Sequence, residues 1–414
     1  MPAGTNQQDA PLTIQSARDL ADRNNAEIRA AQRRVTAAQS KVATSASLDD
    51  PMFTYRDWGT PLTQPWNLNQ AQNMFMVQQT FPGRGKRVLR SAIAGQEVEA
   101  EKAALESVRQ DVSSRVRKAF VDLIRNADEL KLHQKEADLL REALSAAMAK
   151  YTVGKVPQAD VLRAQIVLAR LGDHMIDLEQ ARDLARAELN TLVGWEPSSP
   201  TELEGSYRVL AALPSAAELQ RIALEHRPEF EGLRTKIGIG KTESRLARLA
   251  PKPDYTVAAG YMVMPAGSPF RNGYMAEFSM NLPLLNKQRH QSEGAQADAQ
   301  TEVTRADLDV AQSMVSLQIR QGLVKAHAAQ QSMKLYRDTL TPEAEATFQA
   351  ALAAYQNDRT DFLNLIDSQN MLLDIQSSYY KAVAEFDAQL ADLERAIGAP
   401  LPDPTQPAPA MEDK

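Results

Sequence analysis

Methionine is the residue whose placement in this chain most suggests ligand chemistry. Met74 and Met76 alternate with Phe75 and Val77, and Met275 alternates with Tyr274, Ala276 and Phe278. At period two, successive side chains point to opposite faces of a strand. If Phe75, Val77, Phe278 and Met280 form an apolar outer face, Met74, Met76 and Met275 line the inner one, with Met52 at its margin. The same parity puts Met262 and Met264 inside. Thioether sulfur is a soft ligand that suits Cu(I) or Ag(I) and holds an ion weakly enough to release it. The competing reading is methionine as a flexible filler of an apolar wall. A slip of one residue in register would turn all of these side chains to the other face.

The other candidates point away from catalysis. His133, His174, His226, His290 and His327 have no second histidine three or four residues away, which reads as packing or surface use. Gly83-Arg-Gly85-Lys86-Arg87 lacks the spacing of a phosphate loop and reads as a turn with interfacial basic residues. No nucleophile–base–acid order, carboxylate pair or cofactor fingerprint has a supporting context. The expectation is no enzyme activity and no cofactor.

Composition agrees. The 414 residues carry a net charge of −6, which points to no nucleic-acid partner. Aromatic residues make up only 6% and there are 18 glycines, while Ala, Gln, Leu, Glu and Arg abound, a helix-rich balance. Cysteine is absent, so disulfides, thiolate sites and a lipidated cysteine are not available. No apolar run approaches the roughly 18 residues of a spanning helix, but a spanning strand needs only about 9–11 alternating residues. The start, Met1-Pro-Ala-Gly, has no basic or apolar leader character. It fits either an unsecreted protein or a mature sequence behind a restart methionine.

The elements that must position the methionines occur twice. Leu282-Pro283 with Lys287 repeats Phe81-Pro82 with Lys86, and Tyr151 to Gln165 is echoed by Tyr355 to Gln369. A disordered arm over 1–11 precedes a first repeat over 12–198, made of a helix, a strand pair at 51–82 and a long helical hairpin at 86–194. A polar connector covers 199–214. The second repeat, 215–398, has its strand pair at 253–283 and its hairpin at 287–397, and 399–414 reads as a disordered Pro-rich tail. A break is expected near Asn24-Asn25, and Pro342 should kink its helix. Four strands are too few to close a barrel and leave edges exposed, so several chains should pool their strands.

This order of elements resembles the TolC-type outer-membrane efflux ducts, the outer membrane factor family, over about residues 12–398. The resemblance rests on the duplication, the Phe81-Pro82-Gly-Arg-Gly-Lys86 junction, and Tyr151-Thr-Val-Gly154 followed by Asp160-Val-Leu162. The junction looks most like the heavy-metal efflux subclass. The resemblance implies a mainly α protein with a small β part. Long antiparallel helical hairpins would form a trimeric α-barrel, and each chain would give four strands to a shared 12-stranded transmembrane β-barrel. It implies an exit duct of a tripartite pump in the bacterial outer membrane, extending into the periplasm. The partners would be a periplasmic adaptor, an inner-membrane efflux transporter and outer-membrane lipid. Asp160 and Asn364 match one constriction position, and Arg163 and Asp367 another; Val156 and Thr360 stand where a latch arginine is found, with Arg359 one residue earlier. Asp160, Asp361 and Asp367 could form rings that favour cations, or simply oppose helix dipoles. The turns that would meet the adaptor carry Tyr151, Gly154, Lys155, Tyr355, Asp358 and Arg359, and Trp58, Trp66, Tyr261 and Tyr274 suit a membrane-interface girdle. The cargo implied is heavy-metal cations, with small organic compounds as the alternative. A reading of another class, a soluble coiled-coil scaffold or adaptor, explains the helices but not the strand pairs.

Overall fold

The computed structural model describes residues 11–59, 63, 71–265, 267–270, 272–283, 286–357 and 359–402. The arm before residue 11, most of the tail, Trp66 and Asp358 lie outside the described residues. Nine helices and four strands follow one another among those described. They are α1 (Ile14–Asn24), α2 (Ala26–Ala46), β1 (Met52–Trp58), β2 (Gln72–Phe81), α3 (Lys86–Thr152), α4 (Gln158–Val193) and α5 (Ala216–His226). Then come α6 (Pro228–Ala247), β3 (Tyr255–Val263), β4 (Gly273–Met280), α7 (Lys287–Leu335), α8 (Thr341–Gln356) and α9 (Phe362–Ile397). At 1.5 Å per residue, α3 runs about 100 Å.

The chain divides into two compact units, and each draws on both halves of the sequence. The first comprises Met1–Ala31, Leu105–Pro228 and Gln312–Lys414; the second comprises Gln32–Ala104 and Glu229–Ala311.

The first unit is helical, with two buried clusters. One packs α1 and α4 with α3 through Ala17, Val116, Phe120, Leu189 and Val193. The other gathers Leu140, Val161, Leu171, Phe348, Phe362 and Ile366. The break between α1 and α2 follows from Asn25. Its side-chain oxygen accepts the backbone N–H of Glu27 at 2.8 Å, capping α2, while its amide donates to the Leu192 carbonyl at 3.0 Å. Gly194 and Gly398, both left-handed, end α4 and α9. Ser215 caps α5 and Asp361 caps α9 through its bond from the Asn364 N–H at 3.0 Å. On α9, Phe386, Leu390, Leu393 and Ile397 are fully buried at the heptad steps seen in the sequence.

Pro342 acts as expected, with a specific remedy. A five-residue π-helical turn, Tyr336–Leu340, precedes it, and the Thr341 N–H reaches back to the Tyr336 carbonyl. The wider turn lets the helix continue past a residue without an N–H. Arg117 forms a two-pronged buried pair with Asp387, which also accepts the Arg208 N–H at 2.7 Å. All of that carboxylate's neighbours are donors, which compensates its burial.

The second unit is an antiparallel sheet of order β1-β2-β3-β4 with its adjoining helical segments. Both β1 and β4 are therefore edges. At Gly260 a Cβ would collide with the Phe75 carbonyl oxygen, so only glycine allows β2 and β3 to approach as they do.

A two-faced sheet as candidate conduction surface

The registers assign every strand residue to a face. Phe53 pairs with Val77 and Tyr55 with Phe75; Phe75 pairs with Tyr261, and Tyr261 with Tyr274. One face thus carries Phe53, Tyr55, Phe75, Val77, Val257, Tyr261, Tyr274, Phe278 and Met280, all exposed within the chain, Tyr274 by 91%. A contiguous apolar face of this kind does not stay in water. Transmembrane barrels turn surfaces of this composition to lipid.

Two aromatic levels bound that face. Tyr55, Phe75, Tyr261 and Tyr274 form one row across all four strands, with ring centroids 5.2 Å apart at Tyr55–Phe75 and 5.4 Å at Tyr261–Tyr274. Phe81 and Tyr255 pair at the other end, where Tyr255 also stacks on Phe278 at 6.1 Å. From Tyr255 to Tyr261 the strand rises about 20 Å, close to the roughly 25 Å apolar band of outer-membrane barrels. The sequence singled out Tyr261 and Tyr274. Tyr55 and Phe75 join their row only through the register. Trp58 ends β1, 68% exposed, on the opposite parity.

The other face is polar with methionine set into it. It holds Thr54, Arg56, Gln78, Thr80, Thr256, Glu277 and Ser279, and Thr80 and Thr256 share a hydroxyl hydrogen bond of 3.0 Å. Met74 lies directly opposite Met262, while Met76 and Met275 flank Gly260 from either side. The missing side chain at Gly260 leaves room that the Met76 side chain occupies, and Met76 is buried. The Gln72 amide donates to the Met262 sulfur. Met52 shares the face from the edge strand, and Met264 lies past the end of β3.

The junction below the sheet holds the contact that residue spacing did not show. Lys86, 9% exposed in its side chain, donates to Asp254 at 2.9 Å and to the Lys252 carbonyl at 2.7 Å. Asp254 also accepts the Gly83 N–H at 2.6 Å. Burial pushes the Asp254 carboxyl up, but the Gly83 N–H and the Lys86 ammonium outweigh it and hold it below its ordinary value. A Cβ on Gly83 would sit 2.8 Å from the Pro253 carbonyl oxygen, so the Gly83-Arg-Gly85-Lys86 turn is built for close approach.

In the helical unit the expected turn residues divide. Gly154 (φ 74°) turns α3 into α4, its N–H bonded to the Tyr151 carbonyl at 2.9 Å. Tyr151, Lys155, Arg359, Asn364 and Asp367 are exposed. Tyr355 is placed in the core rather than on the turn's surface: it is 6% exposed, packs edge-on against Phe362 at 5.6 Å and lies beneath the Lys150 ammonium at 4.3 Å. Asp160 is 8% exposed in the first turn of α4, where a carboxylate opposes the helix dipole. The structure also brings together two histidines that looked isolated. His133 of α3 and His174 of α4 stand 6.4 Å apart beside a cavity of about 580 Å³. Burial lowers the His133 pKa, and its Nδ1 lies 2.9 Å from the Glu129 carbonyl. Among the described residues no group of three or more His, Asp or Glu is arranged to hold a metal, and no helix is long and apolar enough to cross a membrane.

Known proteins share this plan. The family model described as outer membrane efflux protein matches residues 17–195. Over 395 residues the chain is 23% identical to the cobalt-zinc-cadmium resistance protein CzcC of Cupriavidus metallidurans, spanning 94% of this chain and 90% of CzcC. Among solved structures, CusC superposes with a TM-score of 0.78 at 15% identity, covering 96% of this chain and 95% of CusC. The outer membrane protein VceC of Vibrio cholerae gives 0.76 at 16% identity, with 94% and 96% covered. The helical body with one four-stranded antiparallel sheet is the fold of the outer-membrane channels. The chain is thus similar to outer membrane efflux proteins over residues 17–195, and its fold is that of the solved outer-membrane channels.

Proposed function

We propose that this chain is an outer-membrane efflux duct of the heavy-metal branch, extending into the periplasm, and that it is a homotrimer whose three four-stranded sheets close one 12-stranded barrel. Its hairpins form a common α-helical tunnel, and it conducts heavy-metal cations passively as the exit of a tripartite pump. Two observations support the shared barrel: both outer strands are edges, and one sheet face carries nine exposed apolar or aromatic side chains. Exposed Leu162, Ile166, Ile176 and Leu184 on α4 and Leu317 and Val324 on α7 supply apolar surface for neighbouring helices. The periplasmic adaptor would meet the α3–α4 and α8–α9 turns, with Asp367 and Arg359 near the constriction. An inner-membrane transporter supplies the driving force, and the duct supplies the path.

The observation that carries the cargo reading is the methionine arrangement on the polar face. Met74 opposes Met262, and Met76 and Met275 flank Gly260. Three copies would ring the lumen with soft sulfur at two levels, which suits transient contact with soft cations. The relative named for cobalt, zinc and cadmium resistance supports a metal cargo. The test replaces Met74, Met76, Met262, Met264 and Met275 together with Leu, which conserves volume and costs little packing. We expect normal assembly, reduced resistance to copper, silver and cadmium, and a smaller change for zinc. Unchanged resistance to the soft ions would make these residues wall filling.

A further inference from the structure

The Lys86–Asp254 contact joins the end of β2 to the start of β3, and the sequence repeat carries a second copy of it. Matching Pro82 with Pro283 puts Lys86 on Lys287 and Gln78 on Ser279. Gln78 pairs with Met52, and Ser279 pairs with Thr256, so Met52 matches Thr256. Two residues earlier, Asp50 then matches Asp254. Asp50 precedes the edge strand β1 and Lys287 follows the edge strand β4. Among the described residues neither side chain has a hydrogen-bond or ion-pair partner.

The same mapping fixes a register. Within the chain, Met76 pairs with Gly260 and Gln78 with Ala258. Their counterparts are Glu277 with Arg56 and Ser279 with Thr54. Both pairs lie on the methionine face. Arg56 and Glu277 are exposed, carry opposite charges, and among the described residues have no ionic partner. On the other face the mapping sets Phe278 beside Tyr55 and Met280 beside Phe53, with Ala276 beside Asp57. A register reached from the repeat alone thus matches two charge pairs and sets apolar side chains Phe278 and Met280 beside Tyr55 and Phe53.

We propose that β4 of one protomer pairs antiparallel with β1 of its partner in this register, resting on the trimeric reading above. Glu277 then stands directly opposite Arg56 of the partner protomer, and Lys287 grips Asp50 of the partner as Lys86 grips Asp254. Opposite charges facing across a strand pair favour that register, and displacement by two residues separates them.

The absence of cysteine makes the test clean. The double variant Thr54→Cys with Ser279→Cys puts thiols on directly opposed residues, within reach of a disulfide. Thr54→Cys with Glu277→Cys is displaced by two. Under mild oxidation in detergent we expect covalent trimer from the first variant and at least tenfold less from the second. We also expect Arg56→Glu to lower the melting temperature of the trimer, and Glu277→Arg added to it to restore most of the loss. Faster cross-linking of the displaced pair, or none from either pair in a protein whose mass is that of a trimer, would overturn the register. A monomeric mass for the wild type would instead overturn the trimeric reading on which it rests.

Discussion

Lys86 shows how one side chain can hold a strand-to-helix junction. It is nearly buried, and it satisfies two acceptors on the segment that leads into the neighbouring strand. Lys86→Met keeps the stem and removes the donor. Asp254 remains partly open to water, so the exposed carboxylate rehydrates and the loss is moderate. We expect about 1–3 kcal/mol, read as a lower midpoint in heat-modified electrophoresis of the purified protein.

His133 is the corresponding residue in the helical unit. Burial disfavours its charged form, and Lys381 and His174 add to the effect, against the Glu129 contributions. Its folded pKa lies below the unfolded value of about 6.5. The unfolded chain then binds more protons in that window, so His133 favours folding above 6.5 and loses this contribution as pH falls through the folded pKa. Glu136 has the opposite sign: burial raises its pKa, so its contribution is lost as pH rises through the folded value. His133→Gln should flatten the fall in melting temperature between neutral pH and about pH 5. A variant whose profile still follows the wild type would show that another group controls the acid limb.

At the level of elements, helix ends decide where chains turn, and three glycines separate strain from contact. Gly154, Gly194 and Gly398 all have φ near +75°. A Cβ on Gly154 would meet nothing within 4 Å, whereas one on Gly194 would sit 2.6 Å from the Asn24 Cβ, and one on Gly398 2.8 Å from the Arg227 Cα. Alanine at Gly154 should therefore cost only the left-handed strain, about 1 kcal/mol, and alanine at Gly194 or Gly398 about 2–4 kcal/mol. Denaturant unfolding of the three variants would show the difference.

These ends were the legible part of the fold. Proline, glycine and capping residues constrain the backbone locally, so the breaks at Asn25, Gly154, Gly194 and Pro342 could be read from the sequence. Apolar steps of three and four revealed the helices, and period two revealed the strands. What stayed hidden depends on partners far along the chain. Lys86 and Asp254 are 168 residues apart, and nothing local links them. His133 and His174 meet only because α3 and α4 lie side by side. Tyr355 looked like a turn residue because it precedes a break, yet its ring turns inward onto Phe362. The aromatic row needed the register to bring Tyr55 and Phe75 beside Tyr261 and Tyr274.

At the scale of the whole molecule, the proposed duct exists only as an assembly. A four-stranded sheet with one largely apolar face and two open edges is too small to close on itself. In the proposed trimer the polar, methionine-bearing face lines the lumen. The most direct test is the mass of the purified protein in detergent, measured by light scattering with the detergent contribution subtracted. The proposal predicts three times the 45.7 kDa chain. A monodisperse species of a single chain, with its strands intact by circular dichroism, would contradict it.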